Sequence, residues 1–136
     1  MTASSDDQAA TNESALRSST QRVRRVMPVL TVPDVEAVRD AFVQVLGLRE
    51  VMNLGWIATF ADEDLRHQVS LMTTDATAPV NPNISVEVDD VDAAHRAAVD
   101  AGLAIVHPLS DEEWGVRRFF FMDPAGNVVN VLSHRH

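Results

Sequence analysis

The 136-residue sequence has no cysteine, no lysine and no long apolar run. Without cysteine, disulfide bonds, thiolate metal ligands and cysteine nucleophiles are all excluded. No apolar run approaches the roughly 18 residues that a membrane-spanning helix requires. The polar N-terminus also lacks the apolar segment of a secretion signal. These absences predict a cytoplasmic protein, and the length suits a single domain.

All eleven positively charged residues are arginines, against 20 acidic residues, which gives a formal net charge of −9. The first 25 residues hold four of these arginines, so residues 26–136 carry a net charge of −10. An acidic body of this kind repels nucleic acid and anionic membrane surfaces. We therefore expect neither as a partner, and a cationic ligand would be favoured over an anionic one.

An internal repeat is the most informative pattern in the chain. Residues 32–38 (VPDVEAV) are echoed at 88–94 (VDDVDAA), an offset of 56 residues. Two copies indicate a pair of half-domains packed on each other, since a solenoid is built from more. Such a pair shares a central cleft, and functional residues are expected at equivalent positions of the two halves.

Each copy predicts the order strand, helix and three strands. In the first copy a strand at 26–32 precedes a helix that Asp34 caps and Gly47 ends, followed by strands at 48–53, 56–61 and 67–73. In the second copy a strand at 84–88 precedes a helix from Asp90 to Gly102, followed by strands at 105–109, 116–122 and 128–132. The predicted apolar helix faces are Val35, Val38, Phe42 and Val45 or Leu46 in the first, and Val91, Ala94 and Ala98 in the second.

The chain is therefore predicted to consist of a tail and one duplicated domain. Residues 1–25 lack apolar periodicity and are expected to be a disordered or loosely attached tail, ending in three arginines. Residues 26–136 form the domain, with module one at 26–76 and module two at 83–134. The expected fold class is α+β, with tandem βαβββ modules forming a curved mixed sheet around a central cleft.

A tandem βαβββ pair resembles the vicinal oxygen chelate superfamily, the group of glyoxalases, bleomycin resistance proteins and ring-cleaving dioxygenases. The resemblance spans residues 26–134. Its local marks are the helix end from Phe42 to Leu48, and a terminal hairpin with Trp114-Gly115 and the run from Phe121 to Asn127. They are similar to the family patterns FY…LGF and WG…F.DP.GN. The resemblance implies the fold and a homodimer, but one scaffold hosts isomerases, lyases, dioxygenases and binding proteins.

The resemblance also implies where a metal would bind. In the metal-dependent members, His, Gln or Glu ligands lie on the first and last strands of each half. Strand alternation matches these places to Met27, Ser70, Asn83 and Asn130. A thioether, a hydroxyl and two amides are poor ligands for a divalent cation, which prefers anionic oxygens or imidazoles. We therefore predict no bound metal and no other cofactor.

Further side chains are predicted to face the cleft. Trp56 and Trp114 each adjoin a glycine, and they are either separate core anchors or one aromatic wall for a planar or cationic ligand. Glu87 is either a general base or cation partner, or a solvent-facing edge residue. Arg118 shares a strand face with Phe120, and it binds a ligand carboxylate or pairs with surface acid.

Two polar features have competing interpretations. Asn130 interrupts an apolar strand, and a buried amide needs a hydrogen-bond partner, which is either structural or part of a ligand. The acidic run at 111–113, just before Trp114, is either a solvated turn or part of the mouth of a pocket.

The function expected from these features is metal-free binding of a small molecule, in the manner of a bleomycin resistance protein. A drug, metabolite or aromatic compound would lie between apolar walls that include Met27, Val29, Phe120, Met122 and the two tryptophans. The alternative is an enzyme, either a glyoxalase-like lyase or isomerase or a metal-independent member using Glu87. A third hypothesis is an interaction module that uses the tail and its arginines.

Overall fold

The computed structural model describes residues 22–135, which form eight strands and two helices. Their order is β1 (Val23–Thr31), α1 (Val35–Leu46), β2 (Arg49–Asn53), β3 (Ile57–Ala61), β4 (Gln68–Met72), β5 (Ile84–Val88), α2 (Val91–Asp100), β6 (Ala104–Asp111), β7 (Val116–Met122) and β8 (Val128–His134). The sequence repeat is thus reproduced as two βαβββ modules, which confirms the predicted fold class.

The predicted start of the domain needs one correction. Strand β1 begins at Val23, three residues before the predicted start at Val26, because pairing with β5 extends back to this residue. Arg24 and Arg25 therefore belong to the domain rather than to the tail. Arg22 immediately precedes this strand, and residues 1–21 of the predicted tail lie outside the described residues.

All eight strands belong to one curved mixed sheet in the order β2-β3-β4-β1-β5-β8-β7-β6. In each module the first and last strands are parallel neighbours, β1 with β4 and β5 with β8. The modules join within one chain where β1 and β5 pair antiparallel, with Met27 opposite Ser85. None of the helices in the described part of the chain has the length and apolar character needed to cross a membrane.

Both helices begin at the predicted caps. The Asp34 carboxylate accepts a hydrogen bond from the Glu36 N–H at 3.1 Å, and the Asp90 carboxylate accepts one from the Ala93 N–H at 3.1 Å. These bonds satisfy N–H groups that have no partner within the helix. The caps therefore fix where each helix begins after its preceding strand.

Each helix covers its own half of one sheet face. The core beneath α1 consists of Val35, Ala58, Phe60 and Leu71, and the core beneath α2 consists of Val88, Val91, Ala98, Phe119 and Val131. Val45 and Leu46, predicted on the apolar face of α1, are instead 78% and 60% exposed because no described element covers the last turn. Strand alternation turns the neighbours of the core residues to the opposite face of the sheet.

Candidate functional site

A cavity of about 360 Å³ lies on the sheet face opposite the helices. This volume is at the small end of the roughly 300–1,000 Å³ range of small-molecule sites. Its apolar lining is Met27, Val51, Met52, Leu54, Trp56, Ile57, Leu65, Met72, Trp114, Val116 and Leu132. Its polar lining is Arg25, Thr59, Gln68, Ser70, Ser85, Arg118, Asn130 and His134.

The floor of the cavity is formed by Met27, Ser70, Ser85 and Asn130, on the four central strands. Asn130 donates a hydrogen bond from Nδ2 to Ser85 Oγ at 3.0 Å. Ser70 Oγ donates to Met27 Sδ at 3.1 Å and lies 2.7 Å from Thr59 Oγ1. The Asn130 Oδ1 atom is buried and has no hydrogen-bond partner within residues 22–135. The floor therefore keeps one unused acceptor.

Asn83, the fourth residue that was matched to a metal-ligand position, does not line the cavity. It is exposed and precedes β5, and its Oδ1 accepts a hydrogen bond from the Val128 N–H at 2.8 Å. The Asn83 side chain therefore aligns the start of β8 beside β5. Ser85, two residues later on the same face, takes its place between Met27 and Asn130. The sequence does not reveal the register of β1 against β5, and this register is what identifies Ser85 as the floor residue beside Met27.

The two tryptophans meet across the cavity. Their ring centroids are 5.9 Å apart at an interplanar angle of 67°, an edge-to-face contact. Trp56 follows Gly55 in the β2–β3 turn, and Trp114 precedes Gly115 in the β6–β7 turn. Both glycines have φ near +90°, a conformation that residues with a side chain rarely adopt. Equivalent hairpins of the two modules thus bring the two indoles together as one aromatic wall of the cavity rather than as separate core anchors.

Arg118 lines the cavity, but its charge is used within the protein. The side chain is almost fully buried, and Nη1 donates to Asp75 Oδ2 at 2.8 Å. Nε donates to Glu112 Oε1 at 3.1 Å, and Nη2 donates to Thr77 Oγ1 at 2.8 Å. Of the two predicted roles, pairing with acid is the one observed, although Asp75 is buried rather than on the surface.

The Arg118 guanidinium contacts two aromatic rings. Its central carbon lies 5.0 Å from the Trp114 ring centroid and 4.9 Å from that of Phe120. Phe120, predicted on the cavity wall, is fully buried beneath Arg118 and does not line the cavity. Val29 and Met122, also predicted on the wall, are absent from the lining as well. The Arg118 side chain lies against the Phe120 ring and lines the cavity where Phe120 was expected to line it.

His107 and Glu112 complete this buried polar cluster, which the sequence did not reveal. His107 Nε2 lies 3.2 Å from Glu112 Oε1 and 3.2 Å from the Thr77 carbonyl oxygen, and Nδ1 lies 2.7 Å from the Pro108 carbonyl oxygen. Both ring nitrogens thus face oxygen acceptors. Glu112, predicted in a solvated turn, has a side chain only 11% exposed. No pattern in the sequence around Asp75 indicates that this residue belongs to the cluster.

The electrostatics of Asp75 follow from its surroundings. Burial acts to raise the pKa of the Asp75 carboxyl. Hydrogen bonds from Arg118 and Thr77, together with the charge of Arg118, outweigh burial and lower this pKa below its ordinary value. Asp75 is therefore a carboxylate that holds Arg118 in place at the cavity wall.

Glu87, the predicted candidate base, is engaged in an ion pair. Its Oε1 lies 3.2 Å from Arg25 Nε and 3.7 Å from His134 Nε2. Arg25 also donates from Nη1 to Gln68 Oε1 at 3.0 Å. Arg25, Gln68 and His134 line the cavity, whereas Glu87 does not. A bound molecule would meet the arginine side of this cluster rather than the carboxylate.

Comparison with known proteins identifies the family. A sequence profile of the Glyoxalase/Bleomycin resistance protein/Dioxygenase superfamily matches residues 22–131. The chain belongs to this superfamily. No curated protein matches the sequence.

Solved structures share the fold at low sequence identity, among them members of the same superfamily. A member from Vibrio splendidus 12B01 is 18% identical with a TM-score of 0.60, over 82% of this chain and 99% of the other. The Mn(II)-bound glyoxalase from Novosphingobium aromaticivorans is 24% identical with a TM-score of 0.58, over 82% of this chain and 38% of the other. An NAD-dependent benzaldehyde dehydrogenase from Legionella pneumophila is 16% identical with a TM-score of 0.67, over 81% and 99% respectively.

The cavity floor does not fit the divalent metal that the superfamily resemblance implies. It offers a thioether, two hydroxyls and an amide, and neither a carboxylate nor an imidazole. Within residues 22–135 no group of three or more His, Asp or Glu side chains is arranged to hold a metal ion. The observed floor contains Ser85 where Asn83 was predicted, and a serine hydroxyl is no better a ligand for a divalent cation than an asparagine amide.

Proposed function

We propose that this protein binds a small molecule without a metal, and that it sequesters a drug or metabolite in the cavity between its modules. The observation that carries this proposal is the chemistry of the floor. Met27, Ser70, Ser85 and Asn130 occupy the central strands of a superfamily fold, but they lack the anionic or imidazole ligands of a metal centre. What they do supply is a mixed apolar and hydrogen-bonding surface.

The remainder of the cavity supports binding by shape and apolar burial. Eleven of its lining residues are apolar, and the two tryptophans form one wall. Apolar area removed from water contributes about 25 cal/mol per Å². Arg25 and Arg118 are already held by carboxylates, so the site is organised before a molecule enters. Preorganisation of this kind reduces the entropy lost on binding.

Metal analysis tests the metal-free part of the proposal. We expect full-length protein, purified without a polyhistidine tag, to retain far less than one equivalent of Zn²⁺, Ni²⁺, Fe²⁺ or Mn²⁺ after incubation and desalting, measured by plasma mass spectrometry. Stoichiometric metal that is lost in Asn130→Ala but kept in His134→Ala would overturn the proposal. That result would favour the alternative, a lyase or isomerase of the glyoxalase type.

We also propose that the protein is a cytoplasmic homodimer with neither nucleic acid nor membrane as a partner. Val26 and Leu30 on β1 support the dimer, since they are 50% and 43% exposed on the sheet face opposite the cavity. Sedimentation equilibrium is expected to give twice the chain mass of 14.9 kDa, and the double variant Val26→Glu, Leu30→Glu is expected to give the chain mass itself. A wild-type mass of one chain at all concentrations would contradict the dimer.

A further inference from the structure

We infer that the cavity takes an uncharged, planar aromatic molecule with a single hydrogen-bonding group, such as a hydroxyl or a ring N–H. The inference rests on the proposed function and specifies its ligand class. It follows from three properties of the lining: the charges are all paired, the wall is aromatic, and almost every polar group is already hydrogen-bonded.

Both arginines of the lining are already paired with carboxylates of the protein. Arg25 and Arg118 are the arginines of the lining, and no acidic side chain in the described part of the chain lines the cavity. Arg25 is paired with Glu87, and Arg118 with both Asp75 and Glu112. A ligand carboxylate would compete with the protein's own carboxylates for an arginine that is already paired, and a ligand cation would lose its hydration without meeting an acid. The chain's net charge of −9 therefore does not carry over to the cavity.

The wall favours a flat ring. Trp114 has Arg118 over its ring and the edge contact with Trp56, yet it remains 39% exposed. Met27, Met52 and Met72 also line the cavity, and thioethers pack well against aromatic rings. An aromatic ligand would cover the remaining indole surface and extend the edge-to-face arrangement.

Several other polar groups of the lining already have hydrogen-bond partners within the protein. Gln68 accepts from Arg25 and donates to the Leu65 carbonyl oxygen at 2.9 Å. The hydroxyls of Thr59 and Ser70 form a chain that ends on the sulfur of Met27. These groups are satisfied without a ligand.

On the floor, one donor and one acceptor lie side by side without a partner inside the described part of the chain. Ser85 Oγ accepts from Asn130 Nδ2, so its own hydrogen is available, and Asn130 Oδ1 has no partner within residues 22–135. A hydroxyl both donates and accepts, and it complements this pair. Turning the Asn130 amide about its broad terminal torsion swaps its oxygen and nitrogen, but one end remains unused in either orientation. A ligand with a single polar group satisfies the floor.

A set of four naphthalenes of matched size tests the inference by isothermal titration calorimetry on the full chain at pH 7. We expect 2-naphthol to bind, and 2-methoxynaphthalene, which cannot donate, to bind about tenfold more weakly. The anionic 2-naphthoate and the cationic 2-naphthylmethylammonium are expected to bind at least about a hundredfold more weakly than 2-naphthol. Equal or tighter binding of either charged probe would overturn the inference.

Variants of the floor locate the discriminating group. Asn130→Leu is expected to reduce the tenfold preference for 2-naphthol over 2-methoxynaphthalene to less than twofold, and Ser85→Ala provides a second test if Asn130→Leu fails to fold. Ser133→Ala is the matched control, because this hydroxyl lies on the same strand but donates to the Val88 carbonyl oxygen. An unchanged preference in the floor variants would overturn the inference.

The outcomes for ligand class and for proposed function can be distinguished. If a charged probe binds as tightly as 2-naphthol and shifts the indole N–H resonances of Trp56 and Trp114, the ligand class is wrong while small-molecule binding stands. If none of the four probes shifts these resonances, both the inference and the proposed function fail.

Discussion

Replacing Arg118 with alanine is expected to lower the free energy of unfolding by about 3–5 kcal/mol. The substitution leaves Asp75, which is 1% exposed, as a buried carboxylate without its cationic partner. It also removes the positive charge beside Glu112 and the contacts with two aromatic rings. Domains of this size are stable by only about 5–15 kcal/mol, so the loss takes a large share. Urea unfolding followed by circular dichroism measures it.

The neighbouring Arg117 provides a matched control. It also lies between two carboxylates, at 2.9 Å from Asp92 and 3.1 Å from Asp111. Its side chain is 32% exposed, and those of its partners are 48% and 44% exposed. Exposed pairs contribute little, so Arg117→Ala is expected to cost less than about 1 kcal/mol. Equal losses for the two arginines would contradict a structural role specific to the buried cluster.

The pH dependence of the Arg118→Ala loss gives a second readout. In the wild type the pKa of the Asp75 carboxyl is lowered, so its contribution to stability is present above its unfolded pKa of about 3.9 and is lost only as the pH falls through the folded pKa. Without Arg118, burial dominates and raises that pKa. Protonation then relieves the penalty, and the gap between wild type and variant should narrow between pH 7 and about pH 4. A gap that widens in acid would contradict this account.

Alanine at either tryptophan is expected to weaken 2-naphthol binding by about 30-fold, which corresponds to about 2 kcal/mol. Trp56 and Trp114 form the aromatic wall, and each indole supplies contact area that no neighbouring side chain replaces. Trp56→Phe keeps a ring at this position and is expected to lose severalfold less affinity than Trp56→Ala. Isothermal titration calorimetry provides the dissociation constants.

An exposed apolar residue outside the cavity controls for general effects. Leu46 is 60% exposed at the end of α1 and does not line the cavity, so Leu46→Ala should leave the affinity unchanged. Affinity that is insensitive to both tryptophans would show that binding occurs elsewhere on the protein.

Local sequence patterns were sufficient for the fold. The Asp34 and Asp90 caps, the helix ends and the alternating strands depend on residues a few positions apart, and each appears close to its predicted place. The repeat supplied the one long-range fact needed, since it implied two equivalent modules. The aromatic wall could also be anticipated, because Trp56 and Trp114 occupy corresponding hairpin turns of the two modules.

The details of the site depend on contacts that are distant in sequence. Asp75 and Arg118 are 43 residues apart, and nothing near either residue indicates that they pair. Asn83 and Ser85 point to the same side of the chain, and only the register of β5 against β1 and β8 decides which of them faces the cavity. Net charge is a property of the whole chain and says nothing about where the charges lie, and the acidic residues within 22–135 lie outside the cavity lining.

The central claim is that a small molecule binds between the two modules without a metal. Trp56 and Trp114 are the only tryptophans in the chain, so their two indole N–H resonances report on the cavity alone. The most direct measurement is a titration of ¹⁵N-labelled protein with 2-naphthol in buffer containing EDTA. We predict that both resonances shift and saturate together. Resonances that stay fixed in EDTA, but shift once Zn²⁺ or Mn²⁺ is supplied in excess, would contradict the claim.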